Sequence, residues 1–224
     1  MFLSLITPMS LGSYDDLFNA TRLAIDSALS NPELQKYLGP FGYPSEELQN
    51  GRALYDTAFA AHYKQKEEQA EQIGATAELD RLREAVNQAY MRHLKLARVA
   101  FKKDTVATAK LALLGRRNRS FSGWLGQVQQ FYMALASDDR LQQGLARFGV
   151  TPAAITQVQA DIQATIQANV ARETEKGEAQ QATQERDTAL DALLDWHSDF
   201  IAVARVALEE KPQLLEMLGV QVAS

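Results

Sequence analysis

The sequence Ala97-Arg98-Val99-Ala100-Phe101 occurs a second time, as Ala204-Arg205-Val206-Ala207-Leu208. The second copy lies 107 residues after the first, and the same offset aligns most of the chain with itself. Without gaps, 18 of the 71 residue pairs from 31/138 to 101/208 are identical, including a Phe-Gly turn at 41–42 and 148–149. Self-similarity at a fixed offset is typical of repeated structural units. We therefore infer a tandem duplication.

The repeat predicts the domain organisation. Residues 1–12 are expected to be an irregular N-terminal lead-in, 13–114 the first helical unit, 115–119 a basic linker, and 120–224 the second helical unit. At roughly 100 residues, each unit is longer than the ~20–50 residues of a solenoid repeat. We expect two copies of a small helical domain, related by pseudo-twofold symmetry.

Local patterns predict an all-α fold. Ser13 is a candidate N-cap for a first helix, and Asn31 followed by Pro32 signals the start of a short one. Ser45 opens a long helix that we expect to end near Gly74, with Thr76 capping its return. Each unit is thus predicted to be an elongated up-and-down helical bundle, in which an N-terminal helix and a short helix pack on a long helical hairpin.

Two polar stretches, 64–78 and 171–187, are interpreted as the tips of these hairpins. The helix after each tip is apolar almost all round toward its end, where Arg98 and Arg205 lie among alanine and valine. Because such a helix is normally buried, we expect it to be the centre of each unit.

Composition narrows the functional class. The net charge of −5 argues against duplex nucleic acid as a partner. No apolar run is long enough for a membrane span, and Met1–Ile6 lacks the basic residues that precede a secretory signal core. The chain has no cysteine. These features predict a soluble cytoplasmic protein.

Metal and cofactor sites are not expected. The three histidines, His62, His93 and His197, do not have a glutamate three residues before them, as a di-iron helical bundle requires. At the offset of 107, none of them matches another histidine. We expect them to be hydrogen-bonded or partly exposed side chains.

The candidate ligand or partner residues are Arg98, Arg205, Tyr90, Trp196 and His197. A matched pair of guanidinium groups could bind an anion or a partner carboxylate. The structural alternative is that the arginine stems pack while their charged ends reach water. No nucleophile accompanies Trp196 and His197, so no catalytic residue is predicted.

The sequence thus favours a non-enzymatic helical scaffold or protein-interaction module, with a homodimer or another protein as partner. The alternative is a carrier of a small apolar or anionic ligand held between the two units. Its cavity would be lined by aromatic residues: Tyr55, Phe59, Tyr63, Tyr90, Trp124, Trp196 and Phe200.

Overall fold

A computed structural model describes residues 13–221, and within that range the regular elements are helices without strands, as predicted. The predicted lead-in 1–12 and residues 222–224 lie outside the described residues. In chain order, the helices are α1 Tyr14–Ser30, α2 Pro32–Leu38, α3 Ser45–Ala100, α4 Thr105–Lys110, α5 Phe121–Ala136, α6 Asp139–Ala146, α7 Pro152–Ala207 and α8 Pro212–Glu216. A 3₁₀ turn, Gly39–Phe41, follows α2.

The helix starts follow the capping pattern of the sequence. Ser13 Oγ accepts from the backbone N–H of Asp16, and Asn31 Oδ1 accepts from that of Glu33. Ser120 caps α5 in the same way as Ser13 caps α1. These side chains satisfy N–H groups that have no partner in the first turn of a helix. The predicted starts at 13, 31 and 120 are therefore confirmed.

The element bounds repeat with the offset seen in the sequence. Helices α3 and α7 are both 56 residues long, and Pro152 lies 107 residues after Ser45. Each is preceded by a helix of 16 or 17 residues and a short helix, and each is followed by a helix of five or six residues. The pseudo-twofold symmetry itself stays a prediction.

The predicted hairpins are wrong, because α3 and α7 run without a break through both polar stretches. Thr76 does not cap a new helix: its hydroxyl donates to the carbonyl of Gln72, one turn earlier, and Thr183 donates to Ala179 in the same way. Gly74 lies inside α3, where a glycine weakens a helix by only about 1 kcal/mol relative to alanine. Neither stretch contains proline, so nothing forces the chain to turn.

Continuous helices give compact units that differ from the predicted domains 13–114 and 120–224. One unit comprises residues 1–69 with 178–224, and the other comprises 70–177. Since α3 and α7 do not turn back, each contributes its N-terminal half to one unit and its C-terminal half to the other. Each unit therefore combines the first half of one repeat with the second half of the other.

Each unit has its own core. In the unit 1–69/178–224, α1, α2 and the N-terminal half of α3 pack with the C-terminal half of α7, around buried residues such as Ile25, Leu48 and Phe200. In the unit 70–177, the core holds Leu94, Phe131 and further residues of α4, α5, α6 and the complementary helix halves.

The expectation that the arginine-bearing helix ends are buried all round is wrong. In α3 the buried positions recur every three or four residues, at Val86, Tyr90, Leu94 and Ala97. Directly after Ala97, Arg98 is exposed, and the side chain of Val99 is 63% exposed. In α7 Arg205 is likewise exposed. These helices are amphipathic, and their small apolar residues on the outer face concealed that in the sequence.

Large and small residues are paired differently in the two units. In the unit 1–69/178–224, Gly51 of α3 lies against the indole of Trp196 on α7, and a Cβ at position 51 would overlap that ring. At the offset of 107, the equivalent positions in the other unit hold Val158 and Ala89. The larger residue of the pair is Trp196, in the C-terminal half of α7, in the first unit, and Val158, in the N-terminal half of α7, in the other. This exchange fits a core in which the first half of one repeat packs on the second half of the other.

None of the helices within residues 13–221 is long and apolar enough to cross a membrane.

The effect of Gly51→Val on stability is expected to change sign when Trp196 is also replaced. In the native chain it should destabilise by about 1–3 kcal/mol, because the added carbons overpack against Trp196. In a Trp196→Ala background, which opens a cavity, the same substitution should stabilise, since it recreates the Val158/Ala89 arrangement. Urea denaturation of the native chain, the two single variants and the double variant measures the coupling between the two substitutions. Independent, additive effects would contradict the packing.

Gly74→Ala tests the continuous helix. A Cβ at position 74 meets no atom within 4 Å, so alanine should raise the free energy of unfolding by about 0.5–1 kcal/mol through its helix propensity. At the turn of a hairpin, where a left-handed glycine is needed, the substitution would instead destabilise. Thermal and urea unfolding distinguish the two outcomes.

Candidate functional site

The five candidate residues are divided between the two compact units. Tyr90 and Arg98 belong to 70–177, whereas Trp196, His197 and Arg205 belong to 1–69/178–224. Within either unit, then, only one of the two arginines is present. The pairing of Arg98 with Arg205 at a single site stays a prediction.

Tyr90 and the basic linker form one structural network. The Tyr90 hydroxyl is buried and accepts a hydrogen bond of 2.6 Å from Nη1 of Arg117. Nη2 of Arg117 donates to the carbonyls of Ala112, Leu114 and Gly115. A guanidinium with several donors in a fixed fork can satisfy such a cluster of acceptors. Arg117 therefore fixes the chain between α4 and α5, and the linker is not simply solvated.

Trp196 is a core residue. Its Nε1 donates to Oε1 of Glu47 at 2.7 Å, and its ring stacks on Phe200 with 5.1 Å between centroids. The adjacent His197 is buried, and its Nδ1 has no hydrogen-bond partner among the described residues. Among residues 13–221 no hydrogen bond joins His197 to a carboxylate or hydroxyl.

The histidines are more buried than the sequence predicted. His93 is 2% exposed, and its Nδ1 lies 2.9 Å from the hydroxyl of Tyr132. His62 is also buried, and its Nδ1, like that of His197, has no partner in the described chain. Burial lowers the pKa of all three histidines below the usual value, because the charged form is poorly solvated.

A basic face lies on the outer side of α3 and the turn that follows it. We define it by Arg92, Lys95, Val99, Lys102 and Lys103, all of which are exposed. Their spacing of three or four residues places them on one side of a helix. None of the four cations makes an ion pair or hydrogen bond with the rest of residues 13–221. They surround the exposed side chain of Val99.

An acidic face occupies the equivalent positions on α7 and the turn after it. At the offset of 107 the residues are Asp199, Ala202, Val206, Glu209 and Glu210, again all exposed. Val206 is 62% exposed, as Val99 is 63% exposed. Three of the four cations are thus replaced by carboxylates around the same central valine. The two faces have the same helical spacing and opposite charge.

The charge of each compact unit agrees with its face. Residues 70–177 contain 15 Lys and Arg against 10 Asp and Glu, a formal net charge of +5. The remaining residues contain 8 against 18, a formal net charge of −10. We call 70–177 the basic unit and 1–69/178–224 the acidic unit. The modest total of −5 conceals this separation.

The two charged faces were missed by the sequence analysis, although the repeat contains the signal. Lys102 and Glu209 differ at one matched position, and Arg92 and Asp199 differ at another. Reading charges in the aligned copies would have shown the reversal. That the residues are exposed on one side of each helix required the structure, because the apolar neighbours predicted burial.

Comparisons of the chain with protein-family models, with curated proteins and with solved structures find no match.

The buried histidines predict a pH dependence of stability. An unfolded histidine titrates near pH 6.5, whereas burial holds the pKa of His93 and His197 below that value in the folded chain. Below about pH 6.5 the unfolded chain takes up protons that the folded chain does not, so the free energy of unfolding decreases as the pH is lowered. Each such histidine contributes up to about 1.4 kcal/mol per pH unit. Urea denaturation at pH 7.5 and 5.5 measures the loss.

The matched position in the acidic unit supplies the control. Phe200 stands where His93 would be, and Ile25 where Tyr132 would be, so an apolar pair is tolerated there. His93→Phe combined with Tyr132→Phe should make stability less dependent on pH over this range. An unaltered dependence would mean that His93 does not titrate differently in the two states.

Proposed function

We propose that this protein is a non-enzymatic helical scaffold that self-associates, with the basic face of one copy binding the acidic face of another. The observation that carries the proposal is the charge reversal at matched exposed positions, with Val99 and Val206 at the two centres. Each copy carries both halves of a complementary pair.

The chemistry of the faces fits a partner of this kind. The four cations of the basic face have no partner within the described chain, and neither do Asp199, Glu209 and Glu210. Opposed charges steer two such surfaces together and reject wrong partners. The two valines add a small apolar contact at the centre, and their burial excludes water from it.

The strength expected from these contacts is modest. An exposed ion pair contributes about 0–1 kcal/mol and is screened by salt. Several pairs together with a small apolar centre give an association that depends on protein concentration and ionic strength. Because both faces are present on every copy, the product is either a closed dimer or an open chain, which mass measurement distinguishes.

The non-enzymatic part of the proposal is motivated by the surroundings of the histidines within residues 13–221. The buried histidines are bonded to a tyrosine or lack a partner at Nδ1. No serine or threonine hydroxyl is hydrogen-bonded to a histidine in this range, which is the arrangement that activates these two nucleophiles.

We also infer that the two faces diverged after a tandem duplication. The identical 56-residue lengths of α3 and α7 and their separation of 107 residues support this origin. After duplication, the second copy exchanged Lys102 and Lys103 for glutamates at 209 and 210, which converted two similar faces into a complementary pair.

Charge exchange tests the proposal. Lys102→Glu with Lys103→Glu takes the basic face from four positive charges to a net charge of zero, and Glu209→Lys with Glu210→Lys takes the acidic face from three negative charges to a net charge of +1. Each double variant alone should be monomeric, because its two faces no longer carry opposite net charges. An equimolar mixture should associate again as a one-to-one complex. Sedimentation velocity at about 50 and 500 mM salt measures the masses, and the wild-type association should weaken at the higher salt.

The matched control is Lys36→Glu with Lys176→Glu. Both lysines are exposed and belong to neither face, and the net charge changes by the same amount as in the first double variant. This control should associate like the wild type. A wild-type chain that is monomeric at both salt concentrations, or two variants that fail to recombine, would overturn the proposal.

A further inference from the structure

An open groove of about 770 Å³ lies in the basic unit, between the C-terminal end of α3 and the segment formed by α4 and residues 111–114. Its volume falls within the roughly 300–1,000 Å³ typical of small-molecule sites. Its apolar lining residues are the exposed Ala109 and Leu114, the half-buried Ala112, and the buried Phe101 and Leu113. Leu114 is 75% exposed, which is unusual for so large an apolar side chain next to a groove.

Two cations border this apolar surface. Arg98 donates from Nε to the carbonyl of Leu113 at 2.8 Å, which fixes the plane of the guanidinium. Its two terminal nitrogens have no partner within the described chain. Lys102 also lines the groove and has no ion pair in that range. A held guanidinium with free terminal N–H groups is suited to bind a carboxylate through two parallel hydrogen bonds.

The wall of the groove is held in a strained conformation. Ala112 adopts a φ of 46°, in the left-handed region that glycine prefers, whereas the matched residue in the acidic unit is Gly219 with a φ of 78°. The strain of about 1 kcal/mol or more at a non-glycine residue is a recurring feature of ligand sites. Arg117 donates to the Ala112 carbonyl and stabilises this turn.

The acidic unit offers a natural comparison. Arg205 corresponds to Arg98, but Glu209, Glu216 and Gln221 stand at the positions of Lys102, Ala109 and Leu114. A smaller pocket of about 380 Å³ there is lined by Glu216, Gly219, Val220 and Gln221. The acidic unit thus keeps the arginine. It has a carboxylate in place of the Lys102 cation, a carboxylate in place of the Ala109 methyl group, and an amide in place of the Leu114 side chain. Only the first copy combines an apolar surface with unpaired cations.

We propose that the groove of the basic unit binds a single-chain amphiphile with an anionic head, of the long-chain carboxylate class. The carboxylate pairs with the terminal nitrogens of Arg98 and with Lys102. The hydrocarbon chain lies on the exposed side chains of Ala109 and Leu114. All the residues of this site lie in the basic unit of a single molecule, so the site does not require self-association. It shares one residue, Lys102, with the basic face.

Charge and shape together select this occupant. A neutral hydrocarbon would leave the two cations unpaired, and a small inorganic anion would leave the apolar surface in water. The burial of a methylene group contributes about 0.8 kcal/mol, so a chain on the groove wall adds to what the ion pair provides. The first twelve residues of the chain contain no carboxylate, so they lack the group that the cations select.

Fluorescence titration with cis-parinaric acid, a fluorescent long-chain carboxylate, tests the site in the full-length protein. We expect saturable one-to-one binding. Arg98→Gln should weaken binding about tenfold to a hundredfold, because the charged hydrogen bonds are lost. The matched control Arg205→Gln should bind the probe like the wild type. The methyl ester of the probe should bind about tenfold more weakly than the acid.

Ala109→Glu provides a second variant that does not touch Arg98 or its bond to Leu113. Ala109 is exposed and lines the groove, and glutamate is the residue at the matched position of the acidic unit. It should abolish probe binding while leaving thermal unfolding and the sedimentation coefficient unchanged. The unfolding measurement also shows whether Arg98→Gln is folded.

Four results would overturn the inference. Equal affinity for acid and ester would show a hydrophobic surface without a carboxylate site. Equal loss in the Arg98 and Arg205 variants would place binding elsewhere. Co-sedimentation with phosphatidylglycerol vesicles, without saturable binding of the free probe, would make the groove part of a membrane-contact surface. The probe could also dissociate a dimer and bind equally well to the Ala109→Glu variant. That result would show that the apolar surface is covered by a second molecule of the protein.

Discussion

The constraint on which the rest of the structure depends is the continuity of two 56-residue helices, α3 and α7. A helix satisfies its own backbone hydrogen bonds, so it continues until a cap, a proline or an αL residue stops it. Neither polar stretch supplies such a stop, and the hydroxyls of Thr76 and Thr183 bond back to the preceding turn. As a result, a repeat cannot fold back on itself to close its own core. Each core is completed by the other repeat.

Because each core combines halves of both long helices, the two cores have the same arrangement of helices but different side chains at matched positions. Packing at near-crystalline density requires that a large residue on one helix face a small one on the next. Gly51 with Trp196 satisfies this in the acidic unit, and Val158 with Ala89 occupies the same positions in the basic unit. A second exchange occurs at Gly144, where a Cβ would lie 2.6 Å from the ring of Phe101. Each pair joins residues that lie far apart in the chain, so a change of size at one position is felt at the other.

The two units differ in charge at their surfaces. Val99 and Val206 are both exposed at matched positions, while the residues around them carry opposite charges. Exposed side chains contribute little to folding, and substitutions there usually change stability by less than about 0.5 kcal/mol. One backbone therefore presents a basic face with an apolar groove on one unit, and an acidic face without the same apolar surface on the other.

The sequence by itself determined the helical class, the offset of 107, and the capped starts at Ser13, Asn31 and Ser120, because caps and periodicity are local properties. It also contained the candidate Arg98, which lines the groove. Only the tertiary structure decided that α3 and α7 do not turn back, and which helix halves share a core. Those outcomes depend on packing between residues far apart in the chain, and local propensity at a single glycine or threonine is too weak to decide them.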